Sequence, residues 1–304
     1  MTQRASPQIS VIVPYLNQPE HLANCLRSLM QQTYDLENVE IIVVDNGSRE
    51  LPEAICAQFD NVRLIQELTP GPGPARNRGV SVSRALLLAF IDADCIADKN
   101  WLSVIASAFT DPRAEIIGGD VRIALANPAR MTMLEAYESI YAYRQQEYIE
   151  RQGFSGTGNL ALRRDIYDNV GPFAGIDVAE DREWGHRAGL GGHVIYYLPE
   201  MIVYHPARRS LSELRTKWRR HVAHDYAEHV HGPLDRTRWA AKAFVLALSP
   251  VGEIIKIARS DRVGTIHDRV LAFVALSQIR IYRSWRVLSA VLIKNARASQ
   301  MWNR

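Results

Sequence analysis

Residues 85–94 read ALLLAFIDAD. Seven apolar residues without polar alternation suit a strand buried on both faces of a sheet, because a half-exposed strand would alternate. The run ends on two carboxylates one residue apart, Asp92 and Asp94. Working back toward the N-terminus, VEIIVV (39–44) is a second buried run, ended by the turn cluster DNGS (45–48), and ISVIVP (9–14) is another, stopped by Pro14. Between them, residues 20–32 place Leu22, Leu26 and Leu29 at helical spacing, and a further helical stretch reaches about Phe59. A short strand follows at 62–67, and GPGPARNRG (71–79) reads as a Gly/Pro loop opening a helix to about Ser83. This alternation predicts an α/β fold with a mostly parallel central sheet and helices on both faces. In such sheets ligands bind beyond the carboxyl ends of the strands.

Toward the C-terminus the pattern is less regular. Residues 101–110 read as helix, 115–123 as strand, and 131–151 as one long Tyr- and Glu-rich helix. GTGNLALRRDIYDNVG (156–171) reads as strand then helix, and EDREWGHRAGLGG (180–192) as a helix ended by glycines. Residues 193–205 read as strand, Pro turn and second short strand, and 210–231 as a basic helix. The expected division is a catalytic domain over 1–232 and a helical region over 233–304.

The carboxylates fall where the fold places a ligand. Asp45 follows one buried strand; Asp92 and Asp94 follow another. Two carboxylates flanking one residue on a strand-end bend can share a hard divalent cation with substrate oxygens, and Mg²⁺ or Mn²⁺ suits such a donor set.

SVIVPYLN, VDNGS, GPARNRG, FIDAD, GNLALRRD and ED occur in this order over about residues 9–230. Together they resemble glycosyltransferase family 2, which implies a GT-A fold, an inverting mechanism and a divalent cation. The resemblance implies that Pro14 and Tyr15 border the nucleobase pocket, that Asp45 bonds the base, typically uracil, and that Arg76 reaches toward the nucleotide. Asp92 is expected near the ribose and metal, with Asp94 as the direct ligand and His205 completing the metal site. Asp181 is the expected general base for the acceptor hydroxyl, with Glu180 orienting it or contacting the acceptor. Gly158, Asn159 and Trp184 are placed on the acceptor side; a core position is the competing reading for Trp184. The first motif departs from the family's common Pro-Thr-Tyr-Asn by reading Pro-Tyr-Leu-Asn.

The implied function is transfer of a sugar from a nucleoside-diphosphate sugar, typically a UDP-sugar, to an acceptor hydroxyl in cell-envelope glycan or glycolipid synthesis. Transfer to a polyprenyl phosphate is an alternative within the family. A non-catalytic sugar-nucleotide binding module is the alternative of another class; it would be expected to lose a metal carboxylate or the base, and Asp92, Asp94 and Asp181 are all present. A sugar-phosphate nucleotidyltransferase would open on a GGxGTR-like loop, where this chain has PYLNQPEH (14–21).

Composition narrows the partners. Of 304 residues, 47% are hydrophobic and 23% charged, which supports a sizeable folded core. Three widely spaced cysteines without a CxxC pair point away from a disulfide framework and toward a reducing compartment. No signal-peptide core or spanning apolar run is read. The net charge of +3 conceals a split: residues 207–304 carry 19 Lys+Arg against 7 Asp+Glu. No nucleic-acid motif accompanies that charge. Read as a helix, 269–297 gathers Arg269, Arg280, Arg283, Arg286, Lys294 and Arg297 on one arc opposite an apolar face. The expectation is C-terminal basic amphipathic helices that hold a cytoplasmic enzyme at an anionic membrane surface, with packing or homodimerisation as the competing use.

Overall fold

The computed structural model describes residues 7–292. Its elements in chain order are β1 (Ile9–Tyr15), α1 (Pro19–Met30), β2 (Val39–Asp45), α2 (Glu53–Cys56), β3 (Val62–Gln66), α3 (Pro72–Val82), β4 (Leu87–Ile91), β5 (Ile96–Ala97), α4 (Trp101–Ala108) and β6 (Ile116–Ala124). Then come α5 (Met133–Tyr141), α6 (Gln145–Gln152), β7 (Asn159–Arg163), α7 (Arg164–Val170), α8 (Glu180–Leu190), β8 (Ile195–Pro206), α9 (Leu211–His229), α10 (Pro233–Gly252), α11 (Ile254–Arg259) and α12 (Ile266–Leu292).

Among these residues an eight-stranded sheet runs in the order β3-β2-β1-β4-β7-β6-β8-β5. The first four strands are parallel, as the unbroken apolar runs predict. Alternate residues feed two cores: Val11, Val13, Ile41, Val43 and Ile91 on one face, Ile12, Ile42, Val44, Leu88 and Phe90 on the other. Beyond β4 the sheet is mixed. β7 is antiparallel to both β4 and β6, and β8 is parallel to β6. Because β7 runs against β4, its first residue faces the last of β4, Asn159 opposite Ile91. The loop before β7 therefore arrives at the edge where β4 delivers its carboxylates.

Two expected elements differ. The two strands expected over 193–205 are one, β8 (Ile195–Pro206), with its register to β6 shifted at Gly119/Asp120 so that three β8 residues, Pro199–Met201, are set out of the pairing. Pro199 has no N–H to donate to a ladder, which favours an irregularity there. The long helix expected over 131–151 is broken into α5 and α6. Tyr143, at the break, has φ of 47°, a left-handed conformation that a helix cannot contain.

The chain forms two compact units. Among the described residues, one comprises 7–124 and 143–206; the other comprises 125–142 and 207–292. The expected boundary at 232 is thus displaced, because α9 and α5 share a core with the C-terminal helices. Leu214 is buried with Leu134, Tyr137, Ile140, Ala272, Leu276 and Ile279.

The helix expected over 269–297 is present as α12 through Leu292; Lys294 and Arg297 lie outside the described residues. Three of its other arginines are engaged within the helical unit, while Arg286 lies 5.5 Å from the ring centroid of the exposed Trp285. Arg269 donates to the carbonyls of Ile257, Ala258 and Ser260, closing the end of α11. Arg280 pairs with Glu253 at 3.5 Å, and Arg283 lies 3.6 Å from the Trp218 ring centroid. Burial draws the Arg283 guanidinium down to about 10. These cations serve packing and capping within the helical unit, because a long side chain can lay its stem on apolar neighbours and its head on carbonyls or rings.

Candidate active site

A cavity of about 680 Å³ opens at the carboxyl edge of β1 and β4. It is lined by Pro14 and Tyr15 from β1, by Asp92 and Asp94 from the bend after β4, and by Arg76 of α3. Gly158, Glu180, Asp181 and His205 complete the part assembled from expected residues. All of these belong to the first unit.

Arg76 sits one turn into α3 and is 3% exposed. Its guanidinium donates to Asp92 Oδ1 at 2.6 Å and to Glu180 Oε1 at 2.9 Å. One buried cation therefore ties the bend after β4 to the first turn of α8. A planar guanidinium can hold two carboxylates in fixed directions where an ammonium offers only a point charge. Glu180 is thereby held to Arg76 and Asp181, beside it, is left to face the cavity. Asp181 accepts the Arg182 N–H at 2.7 Å. Burial raises its pKa above the usual aspartate value, the neighbouring Glu180 charge adding to the effect.

Strand register explains a second pairing. Ile96 of β5 lies opposite Tyr204 of β8, which brings Asp94 beside His205. Asp94 Oδ2 and His205 Nε2 are 3.1 Å apart. His205 Nδ1 is 2.7 Å from the Pro206 carbonyl oxygen, which can only accept, so Nδ1 carries its proton. In the neutral ring Nε2 is then an acceptor, which the Tyr143 hydroxyl at 2.9 Å can satisfy; protonated, it pairs with Asp94. Burial works against the charged imidazole, but the hydrogen bond and charge of Asp94 prevail and the His205 pKa is raised. Burial likewise opposes the Asp94 carboxylate, and His205 outweighs it, leaving its pKa lowered. A carboxylate oxygen and an imidazole nitrogen fit a divalent ion that draws its remaining ligands from water and phosphate. Among the described residues no set of three His, Cys, Asp or Glu side chains forms a metal cage.

Several expectations are corrected. Asp92 is turned to Arg76 rather than to the Asp94–His205 pair, and a Cβ on Gly158 would stand 2.6 Å from its Oδ2. Arg76 lines the cavity and pairs with the two carboxylates. Asn159 is fully buried; it donates to the Asp120 and Met201 carbonyls and accepts from the Trp101 indole, so it knits strands instead of meeting an acceptor. Trp184 is a core residue, 1% exposed, bonded to the Gly171 carbonyl and packed on Phe173. Asp45 is fully buried; Oδ2 accepts the Gly47 and Ser48 N–H groups, and Oδ1 has no hydrogen-bond partner.

Sequence reading missed Tyr143 and Gln145. The Tyr143 hydroxyl meets His205 Nε2 at 2.9 Å. Gln145 grips the loop before β7 through the Gly156 N–H and carbonyl. Neither carries a motif; the small-residue run SGTG (155–158) was the available sign of a tight loop there.

Residues 10–179 match the family model described as Glycosyl transferase family 2. The chain belongs to that family. Glycosyltransferase AglE of Haloferax volcanii is 34% identical over 208 residues, 66% of this chain and 68% of that one. Glycosyltransferase GlyG of Streptococcus pneumoniae is 34% identical over 38% of this chain and 39% of its own. Solved structures share the fold at lower identity. The mannosyltransferase PcManGT from Pyrobaculum calidifontis, solved with GDP-Man and Mn²⁺, aligns with a TM-score of 0.57 and 17% identity over 95% of this chain and 85% of that one. S. aureus TarS 1–349 with UDP-GlcNAc aligns at 0.54 and 16%, covering 93% of this chain and 90% of that one. This family member spans 43% of a longer TarS chain. Its mixed sheet with flanking helices is the GT-A arrangement of these neighbours.

Proposed function

We propose that this glycosyltransferase moves a sugar from a UDP-sugar to an acceptor hydroxyl with inversion, using Asp181 as the general base and a divalent cation, Mn²⁺ or Mg²⁺, at Asp94 and His205. The observation that carries the reading is the Arg76 clamp. By occupying Glu180 it singles out Asp181, which stands in the same cavity as the Asp94–His205 pair.

Asp181 accepts the proton of the attacking hydroxyl, and a raised pKa makes it a stronger base than a solvated aspartate. The oxygen attacks the anomeric carbon as the bond to the diphosphate breaks, so one displacement inverts configuration. The cation, when bound, offsets the charge that collects on the leaving diphosphate. Arg76 keeps Asp92 and α8 in register and leaves the cavity through which donor and acceptor meet. The uracil assignment rests on the family resemblance of the VDNGS motif, since Asp45 itself is fully buried and lies outside the cavity lining. The mannosyltransferase neighbour with GDP-Man and Mn²⁺ and TarS with UDP-GlcNAc support a nucleotide-sugar donor of one or the other class. A glycan or lipid-linked molecule of the cell envelope is the proposed acceptor.

The test is a screen of UDP- and GDP-sugars for hydrolysis and transfer with Mn²⁺, Mg²⁺ or chelator. UDP release dependent on cation and abolished in Asp181→Asn supports the reading. Cation-independent turnover, or a GDP-sugar preference, would overturn the corresponding part.

A further inference from the structure

The helical unit carries an apolar stripe that its own core does not use. α10 buries Trp239, Ala243 and Leu246. Its opposite side exposes Phe244 (65%), Leu248 (72%) and Val251 (67%), and α11 exposes Ile255 (65%). The joining residue, Glu253, lies in the right-handed region at φ −92° and ψ −5°, and its carbonyl accepts the Ile257 N–H, so α11 follows α10 after a one-residue turn and the phase between them is approximate. At about 100° per residue, Phe244, Leu248, Val251 and Ile255 fall at roughly 0°, 40°, 340° and 20°, one narrow stripe. At about 1.5 Å per residue it extends roughly 16 Å. Val245 and Ile254, also exposed, widen it on either side.

The charge beside the stripe has one sign. Arg238 and Lys256 fall at about 120° and Lys242 at about 160° on the same wheel. All three are exposed, along with Arg236 and Arg259; Lys242 lies 4.0 Å from the Trp239 ring centroid and Lys256 5.1 Å from that of Tyr141, so these two would have to swing off their rings to meet a headgroup. The one acid between residues 236 and 259 is Glu253, and it is paired with Arg280. Among the described residues no helix is long and apolar enough to cross a membrane.

We infer that the α10–α11 face is an interfacial foot that lies in the headgroup region of an anionic lipid surface, seating Phe244, Leu248, Val251 and Ile255 among the acyl chains while Arg238, Lys242 and Lys256 reach the phosphates. This goes beyond the transfer reaction and does not depend on it. An apolar stripe edged by cations is what an interfacial helix needs, because the two faces meet acyl chains and anionic headgroups at one depth. A second copy of the chain is a poorer occupant. A two-fold interface sets the same patch against itself, and this one would bring cationic edges together without acids to meet them. Arg269, Arg280 and Arg283 of the cationic arc expected on α12 are engaged within the unit, so the foot is placed on α10 and α11.

The test is flotation of the full chain with vesicles of phosphatidylcholine plus phosphatidylglycerol, and with phosphatidylcholine alone. The expected result is flotation with the anionic vesicles, weakened by salt, and at least about tenfold weaker binding in the double variant Phe244→Glu, Leu248→Glu. Both positions are exposed, so the variant should keep the parent's circular dichroism and melting point. An environment-sensitive thiol fluorophore on Leu248→Cys gives a second readout, since Cys25, Cys56 and Cys95 are buried. Its emission should shift to the blue with anionic vesicles. Absence of flotation by the parent overturns the inference, as does equal flotation of the double variant. So does a parent dimer, seen by light scattering, that the double variant dissociates without any vesicle binding.

Discussion

Arg76, Asp94 and Asp181 each make a distinct claim at the scale of single residues. Asp181→Asn keeps the shape but removes the proton acceptor. Transfer should fall by about 10²–10⁴-fold with donor affinity retained, measured by steady-state kinetics beside calorimetric binding. The base works deprotonated and burial raises its pKa. Activity should therefore begin to fail, as pH is lowered, above the range of an ordinary aspartate, and the acidic limb of the kcat/KM profile reports it. Asp94→Ala leaves His205 Nε2 without its carboxylate partner. Mn²⁺-dependent binding of a nucleoside diphosphate should be lost in calorimetry while the far-ultraviolet spectrum is unchanged. Arg76→Ala strands two carboxylates. Asp92 is 39% and Glu180 19% exposed, so solvent relieves part of the cost, and denaturant melts should show a loss of about 1–3 kcal/mol.

Element pairing decides what these residues can do. The antiparallel start of β7 opposite the end of β4 sets Gly158 against Asp92. A methyl group there would stand 2.6 Å from Asp92 Oδ2, well inside contact distance. Gly158→Ala should displace Asp92, weaken the Arg76 clamp and lower nucleotide affinity several-fold, with a smaller effect on the melting point than Arg76→Ala. Isothermal titration and a thermal melt compare the two. The break between α5 and α6 has a similar consequence: by leaving the helix at Tyr143, the chain turns that hydroxyl onto His205.

At the scale of the molecule, the second unit is assembled from two stretches of chain. Leu134, Tyr137 and Ile140 of α5 share their core with Ala272, Ala275, Leu276 and Ile279 of α12. A chain ending at residue 232 would uncover that core, since burial of such side chains is worth roughly 1.5–3 kcal/mol each. It should aggregate or bind a hydrophobic dye strongly, whereas the full chain should not; size-exclusion chromatography with dye fluorescence distinguishes them.

Local sequence determined the parallel half of the sheet and the placement of Asp92 and Asp94. Short apolar runs rich in β-branched residues and bounded by turn residues favour buried strands, as ISVIVP, VEIIVV and LLLAFI show. The ordered motifs also pointed to Asp181 and His205, and the structure places both on the lining of one cavity. What tertiary structure decided were the partners. Arg76 meets Glu180 across 104 residues, and Asp94 meets His205 only because β5 pairs with β8. The same dependence removed Asn159 and Trp184 from the acceptor side and engaged three of the α12 arginines within the helical unit, because hydrogen-bond and packing partners lie far away in the chain. Periodicity describes which faces a helix has; which face is covered depends on the elements that reach it, and that information is spread over the whole fold.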